Sequence, residues 1–201
     1  MSKALWRVTL VLCLLVTLFG ATASAKKATL AEREAEVHHK VAVTLDKLYA
    51  SQPKARTAVE NGAGYAVFVN SGYKLGIVGT SHGRGLAVNN ATQKEVYMRT
   101  QEYQAGLGLG AKEYSLVFVF GNQDAWNSFV TKGWSFGGQG TIAATDGVAG
   151  GTMEGAFQVA PGIWVYQMTT KGLAMEIGLK GTNYYRDKSF YPQPKQVKNK
   201  Q

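Results

Sequence analysis

Apolar residues recur at helical spacing near the start of the chain and at strand spacing over most of the remainder. Four of them, at positions i, i+4, i+8 and i+11, predict an amphipathic helix over residues 26–49: Val37, Val41, Leu45 and Leu48. The polar face of this segment is nearly balanced in charge, whereas a helix that lies on a membrane surface has a strongly basic polar face. We therefore expect this helix to pack against a sheet.

Shorter helical patterns occur at two other places. Residues 122–130 have a helical apolar face and begin with Asn122, a residue type that caps helix N-termini, which predicts one further short helix. Residues 54–60 follow Pro53 and precede Asn61-Gly62, so this segment is also compatible with a short helix.

Strand patterns begin at Tyr65 and recur at regular intervals, with turn signals such as Asn89-Asn90 between them. Besides the central stretch 103–120, the predicted strands cover residues 65–69, 75–79, 85–88, 95–99, 134–144, 152–160, 163–168 and 173–179. Such spacing is typical of antiparallel architectures. The predicted fold class is therefore α+β, with the N-terminal helix packed on a glycine-rich antiparallel sheet, sandwich or partly closed barrel.

The central stretch has two different halves. Gly106, Gly108 and Gly110 alternate, so one face of the strand has no side chains, and a neighbouring backbone, a helix or a ligand should approach it closely. Residues 116–120 are apolar on both faces, which predicts burial on both sides of the sheet. We expect two strands here, with a break near Lys112-Glu113.

Length and composition indicate one globular domain. The chain has 201 residues, of which 45% are hydrophobic and 17% charged, and it contains 24 glycines but only 4 prolines. Residues 26–185 are the predicted domain. Residues 186–201 are polar and basic, which predicts a disordered tail.

The first 25 residues have the pattern of a secretory signal peptide. Lys3 and Arg7 precede an apolar segment over residues 8–19, and Ala23-Ser24-Ala25 is a small-residue cleavage site. An uncleaved membrane anchor is the alternative, but the apolar segment is shorter than the ~20 residues of a membrane span. Cys13 is the only cysteine, so the exported chain has no disulfide.

The chain is basic, with a formal net charge of +9, and loss of residues 1–25 removes two positive charges and leaves +7. An exported basic protein meets anionic headgroups, polyanionic sugars or acidic proteins. No nucleic-acid-binding motif is present, and nucleic acid is not an expected partner.

Motifs for catalysis or metal binding are weak. Residues 133–137 match the G-x-S-x-G pattern of hydrolases around Ser135, but no histidine follows to act as base. His38 and His39 are adjacent on a predicted helix and point to different faces, and His82 is isolated. We predict no enzyme activity, no metal and no cofactor; a hydrolase that uses Ser135 is the least favoured alternative.

Four blocks of sequence carry a family resemblance. They are LDKLY at 45–49 with PKA at 53–55, GYAVF at 64–68, the segment from 106 to 129, and KGLAMEIGLKGT at 171–182. Over about residues 40–185 the chain resembles the SYLF domain family, also called Ysc84-related, in its exported bacterial form. The sequence departs from the family at Val69, Leu75, Ile77, Gly108 and Lys180, so a headgroup site is not carried over in detail.

The resemblance implies binding without catalysis. Members of the family bind phosphoinositides or other lipids, and fungal members associate with actin, which is not expected for an exported bacterial-type protein. The implied function is binding of anionic phospholipid, or a phosphoinositide-like lipid, at a membrane surface in the periplasm or outside the cell. The alternative is a structural or interaction protein of the envelope that binds a protein or a polyanion.

Basic residues are the candidate site residues. Lys74, Arg84, Arg99 and Lys112 lie in or beside the segments that connect the predicted strands, and they would form an anion site if those segments converge. Scattered, solvated charges are the alternative. Lys171 is added on the resemblance alone, because it lies in the KGL block.

Overall fold

The N-terminal helical pattern forms the helix that it predicts. The computed structural model describes residues 28–136, 151–170, 172–173 and 181–191, and its helix α1 spans Leu30–Ser51. The Thr29 hydroxyl accepts a hydrogen bond from the Glu32 amide at 3.2 Å, and the Glu32 carboxylate accepts one from the Thr29 amide at 2.7 Å. Of the predicted apolar stripe, Leu45 is half-buried, and the other three residues are buried: Val37, Val41 and Leu48.

Both shorter helical patterns are also helices. Helix α2 spans Lys54–Asn61, and helix α3 spans Gln123–Lys132. Asn122 caps α3, because its side-chain oxygen accepts a hydrogen bond from the Ala125 amide at 2.9 Å. No helix within the described ranges is long and apolar enough to cross a membrane.

Two long strands form the centre of the sheet. Strand β1 spans Gly64–Asn89 and strand β2 spans Glu95–Phe120, and the two pair in antiparallel register along nearly their whole length. Residues 90–94 form the turn, as Asn89-Asn90 predicted. The expected connecting segment at 80–84 and the expected break near Lys112-Glu113 are both wrong. Continuous pairing satisfies the backbone there, although the local side chains are polar or absent.

Five shorter strands complete a seven-stranded antiparallel sheet: β3 Trp134–Phe136, β4 Phe157–Ala160, β5 Ile163–Thr169, β6 Gly172–Leu173 and β7 Thr182–Arg186. The order β3-β7-β2-β5-β4 places β7 and β5 beside opposite ends of β2, whose other edge pairs with β1. Residues 151–153 are a 3₁₀ helix, not the expected strand. The α+β class with a helix on a curled antiparallel sheet is confirmed.

The β1–β2 ribbon folds back on itself. The register shifts between Gly76 and Val78, and Gly76 has a φ of 66°. Beyond this bend the two halves of β1 touch, since a Cβ built on Gly85 would lie 2.3 Å from the Val67 carbonyl oxygen, and one on Gly83 would lie 2.4 Å from that of Val69. The glycines of β1 therefore allow the two halves of this strand to lie in close contact.

The close approach expected at the alternating glycines of β2 is not found at Gly110. A Cβ built there meets nothing within 4 Å, and its φ of 143° is one that residues with a side chain rarely adopt. The surroundings of Gly106 and Gly108 lie outside what the structure describes. Close contacts with neighbouring backbone occur instead at glycines of β1, the strand that pairs with β2.

Alternate residues of β2 belong to two cores. Leu116, Phe118 and Phe120 pack inside the folded ribbon with residues of α3, among them Trp126 and Phe129. Val117 and Val119 pack on the other face, against residues of α1 and α2, among them Leu48 and Val59. All five β2 residues are fully buried, which confirms the prediction for residues 116–120.

The packed part of the chain continues to Tyr191. Residues Lys188–Phe190 form a 3₁₀ helix, and the buried Phe190 ring stacks on Tyr97 with centroids 4.4 Å apart. Residues 186–191 thus pack against the rest of the described structure, and the domain boundaries stay a prediction. The proposed signal peptide, residues 137–144, most of 173–179 and residues 192–201 lie outside the described residues.

Candidate functional site

The structure divides the predicted basic residues into two groups. Arg84 and Arg99 are register partners across the β1–β2 ribbon. Lys74 and Lys112 lie near the bend, opposite Gly110 and Gly72 respectively. The four cations do not converge on one site. Lys171 lies outside the described residues, and its role stays a prediction.

A buried carboxylate holds the two arginines together. Asp187 is 1% exposed, and its Oδ2 lies 3.7 Å from Arg84 Nε and 3.8 Å from Arg99 Nε. Its Oδ1 accepts hydrogen bonds from the Ser189 amide at 3.0 Å and from the Ser189 hydroxyl at 2.6 Å. Asp187 is thereby fixed in the turn after β7, and it offsets the repulsion between neighbouring guanidinium groups.

The same arginines border a cleft between α1 and the sheet. The cleft has a volume of about 300 Å³, and Glu36, Lys40 and His82 also line it. Lys40 Nζ lies 2.6 Å from Glu36 Oε1, and the pKa of Glu36 is lowered by this hydrogen bond and charge, and further by Arg84. Because both carboxylates near the arginines are already paired, this cleft is better suited to holding α1 on the sheet than to binding a strong anion.

The second basic group lies at the ribbon end, which we define as residues 72–79 of β1 and 109–112 of β2. Lys74 and Lys112 border a recess of about 200 Å³ there, together with Thr80 and Ser81. Lys112 Nζ lies 4.9 Å from the centre of the Tyr114 ring. Strand β5 pairs with β2 only from residue 114 onward, so the ribbon end lies beyond the strands described at that edge.

One of the two acidic side chains near the bend, Glu102, is turned inward, whereas Glu113 is exposed. Glu102 is 2% exposed and accepts a hydrogen bond from the Tyr114 hydroxyl. Burial and this hydrogen bond raise the pKa of Tyr114. Glu102 therefore contributes no exposed negative charge beside the two lysines.

Two functional features were not anticipated from the sequence. Asp187 lies in the segment predicted as a tail, although the pattern Asp-x-Ser is also typical of a capped turn. The apolar side chains of the ribbon end were counted as part of an ordinary strand. Their alternation at Tyr73, Leu75 and Ile77 was visible, but not that this face would be exposed.

Ser135, the serine of the G-x-S-x-G match, lies in a strand. It belongs to β3, which pairs with β7, and its hydroxyl hydrogen-bonds to Asn183 Oδ1 at 2.7 Å. A hydrolase elbow needs the serine on a turn between a strand and a helix. In this chain, helix α3 precedes Ser135 closely, so the long strand that leads into the serine of a hydrolase elbow is missing before Ser135.

The fold and this surface define an α+β protein that presents basic and apolar side chains on a bent β-ribbon. Residues 101–195 match the family model described as "Ysc84: Las17-binding protein actin regulator". The chain is also 32% identical over 149 residues to Beta cell expansion factor A of Aeromonas veronii, a match that covers 73% of this chain and 54% of that protein. The chain belongs to the Ysc84-related, or SYLF domain, family. It spans about half the length of the curated relative that it matches.

Proposed function

We propose that this protein binds anionic lipid at a membrane surface as an exported, non-catalytic binding protein. The observation that carries the proposal is the ribbon end, where lysines lie beside exposed apolar side chains. Membership of a family of binding proteins supports a binding function, without identifying the ligand. The net charge of the chain favours an anionic surface as the partner.

Vesicle co-sedimentation tests the proposal. Protein produced from the full-length chain should sediment with vesicles that contain anionic phospholipid and much less with neutral vesicles. Binding should weaken as salt is raised, because salt screens surface charges over a Debye length of ~10 Å at 0.1 M. Absence of sedimentation with either vesicle would reject lipid binding, and a soluble polyanion or an envelope protein would become the favoured partner.

Charge variants make the test specific to the ribbon end. A lysine near an anionic membrane contributes about 1 kcal/mol, so Lys74→Gln with Lys112→Gln should weaken binding by about 30-fold. Lys132→Gln, at the exposed end of α3, is the matched control for loss of a positive charge elsewhere. Equal losses from both changes would show that net charge, and not the ribbon end, determines binding.

A further inference from the structure

The ribbon end has the most exposed large apolar side chains of the described chain. Each has between 64% and 79% of its surface free: Tyr73, Leu75, Ile77, Val78 and Leu109. On α1 the most exposed ones, Leu30 and Val43, reach only 37%. Single exposed apolar residues are ordinary, but a contiguous group marks a contact surface.

The register separates this end into an apolar face and a basic face. Leu75 is opposite Leu109, and Tyr73 is opposite Ala111, so these side chains share one face of the ribbon. Lys74 and Lys112 alternate with them and belong to the other face. Lysine stems are long enough to place the charged group at the rim of an apolar surface.

The charge of the ribbon end fits an anionic surface. Residues 72–79 and 109–112 contain two lysines and no aspartate or glutamate. The nearest exposed acidic residue is Glu113, which is opposite Ser71 and outside both segments. An apolar surface edged by positive charge complements phosphate headgroups above a hydrocarbon layer.

The backbone of the ribbon end also suits contact with lipid. The two strands satisfy each other's hydrogen bonds through the pairs from Gly72–Lys112 to Gly76–Gly108. The outer edges of the two strands keep unpaired backbone groups, which would be costly deep in a bilayer, so the ribbon end suits shallow contact only. Amphipathic helices at membrane surfaces bury their apolar face ~5–10 Å into the boundary between headgroups and acyl chains, and we expect a comparable depth for this ribbon.

We propose that the apolar face of the ribbon end inserts into the outer layer of an anionic bilayer, while Lys74 and Lys112 contact lipid phosphates. This inference rests on the proposed function and adds the inserting segment and its orientation. A second copy of the chain is a poorer occupant, because a symmetric contact through this face would bring the lysines of both copies together.

Polar substitutions without a change of charge test insertion. Leu75→Ser with Leu109→Ser should weaken binding to anionic vesicles by about tenfold or more, since full burial of a leucine contributes ~1.5–3 kcal/mol. The loss should persist at high salt, unlike that of the lysine variants. Leu30→Ser, at the start of α1, is the control and should bind like the unmodified protein. Unchanged melting temperatures would show that both variants fold.

A site-specific fluorophore provides a second measurement. The chain has one cysteine, so Cys13→Ser with Leu75→Cys allows labelling with an environment-sensitive dye at a single position. Dye emission should shift to the blue on anionic vesicles, and spin labels placed near the top of the acyl chains should quench it. A dye at Asp124→Cys, exposed on α3, should show neither effect.

The outcomes separate the inference from the function on which it rests. If the unmodified protein does not bind vesicles, the proposed function fails, and the inference with it. If it binds, but the double serine variant binds equally well and the dye at position 75 does not respond, insertion is wrong while lipid binding stands. If the double variant only converts a dimer to a monomer, the face is an interface between copies, and insertion is again wrong.

Discussion

Replacement of Gly85 by alanine should destabilise the fold by a purely steric effect. Gly85 is not among the glycines with positive φ, so alanine can adopt its backbone conformation. The new Cβ, however, would lie 2.3 Å from the Val67 carbonyl oxygen and 2.5 Å from Phe68 Cδ1, where ordinary contacts begin at 3.4 Å. The two halves of β1 would have to separate by about 1 Å at this point.

The cost of this separation can be estimated from the surroundings. Phe68 is fully buried and makes ring contacts with Phe118, Phe129 and Tyr184 at centroid distances of 5.7, 6.1 and 4.9 Å. Because these rings are packed together, none can move without disturbing the others. Overpacking of a tight core costs ~1–3 kcal/mol, and the contact with backbone favours the upper half of that range.

Thermal and denaturant unfolding measure the effect, with Gly79→Ala as the control on the same strand. A Cβ at Gly79 would lie 3.0 Å from Lys74 Cγ, in a flexible side chain, and 3.3 Å from the Tyr73 carbonyl oxygen, so only a shift of a few tenths of an ångström is needed. We expect Gly85→Ala to lower the melting temperature by about 4–12 °C, and Gly79→Ala to change it little. A Gly85→Ala protein as stable as the unmodified one would refute the close contact between the halves of β1.

Two further predictions concern buried polar groups. Burial, and then Glu154, raise the pKa of Tyr166 to about 12, so its contribution to stability is full below pH 10 and is lost as pH rises from 10 to 12. Its hydroxyl has no hydrogen-bond partner within the described residues, so Tyr166→Phe should keep stability at pH 7 and reduce the alkaline loss in denaturant titrations; an unchanged alkaline slope would contradict this. Asp187→Asn should cost about 1–3 kcal/mol, because Arg84 and Arg99 lose their shared carboxylate, whereas Glu154→Gln should cost less than about 0.5 kcal/mol since its partner lies in solvent. Equal effects of the last two changes would show that burial does not strengthen the Asp187 contacts.

Local patterns were sufficient to predict the helices and the buried strand. The stripe on α1 and the cap at Asn122 depend on neighbours within a few residues, which the sequence displays directly. Residues 116–120 were apolar at every position, and such a run has no exposed face to assign. These predictions needed no knowledge of distant contacts.

Long-range features could not be predicted in the same way. Pairing with β2 keeps three glycines within one continuous strand: Gly72, Gly83 and Gly85. In a sequence, glycines at such positions indicate interruptions of a strand. The glycine alternation in β2 predicted close approach to a bare face, but a sequence does not show which partner lies opposite that face. For the same reason, the sequence did not show that Arg84 and Arg99 contact Asp187. This contact depends on the register of three strands.

Stability and the proposed membrane contact depend on different parts of one ribbon. The two halves of β1 touch at Gly72, Gly83 and Gly85, and the exposed apolar side chains lie around the bend at Gly76. A side chain at the end has few neighbours to lose, so substitution of Leu75 or Leu109 should alter binding with little effect on folding. Substitution of the contacting glycines should do the reverse. A variant at Leu75 that both unfolds the protein and abolishes binding would therefore argue that the end is covered in the native state, which would contradict its role as a membrane contact.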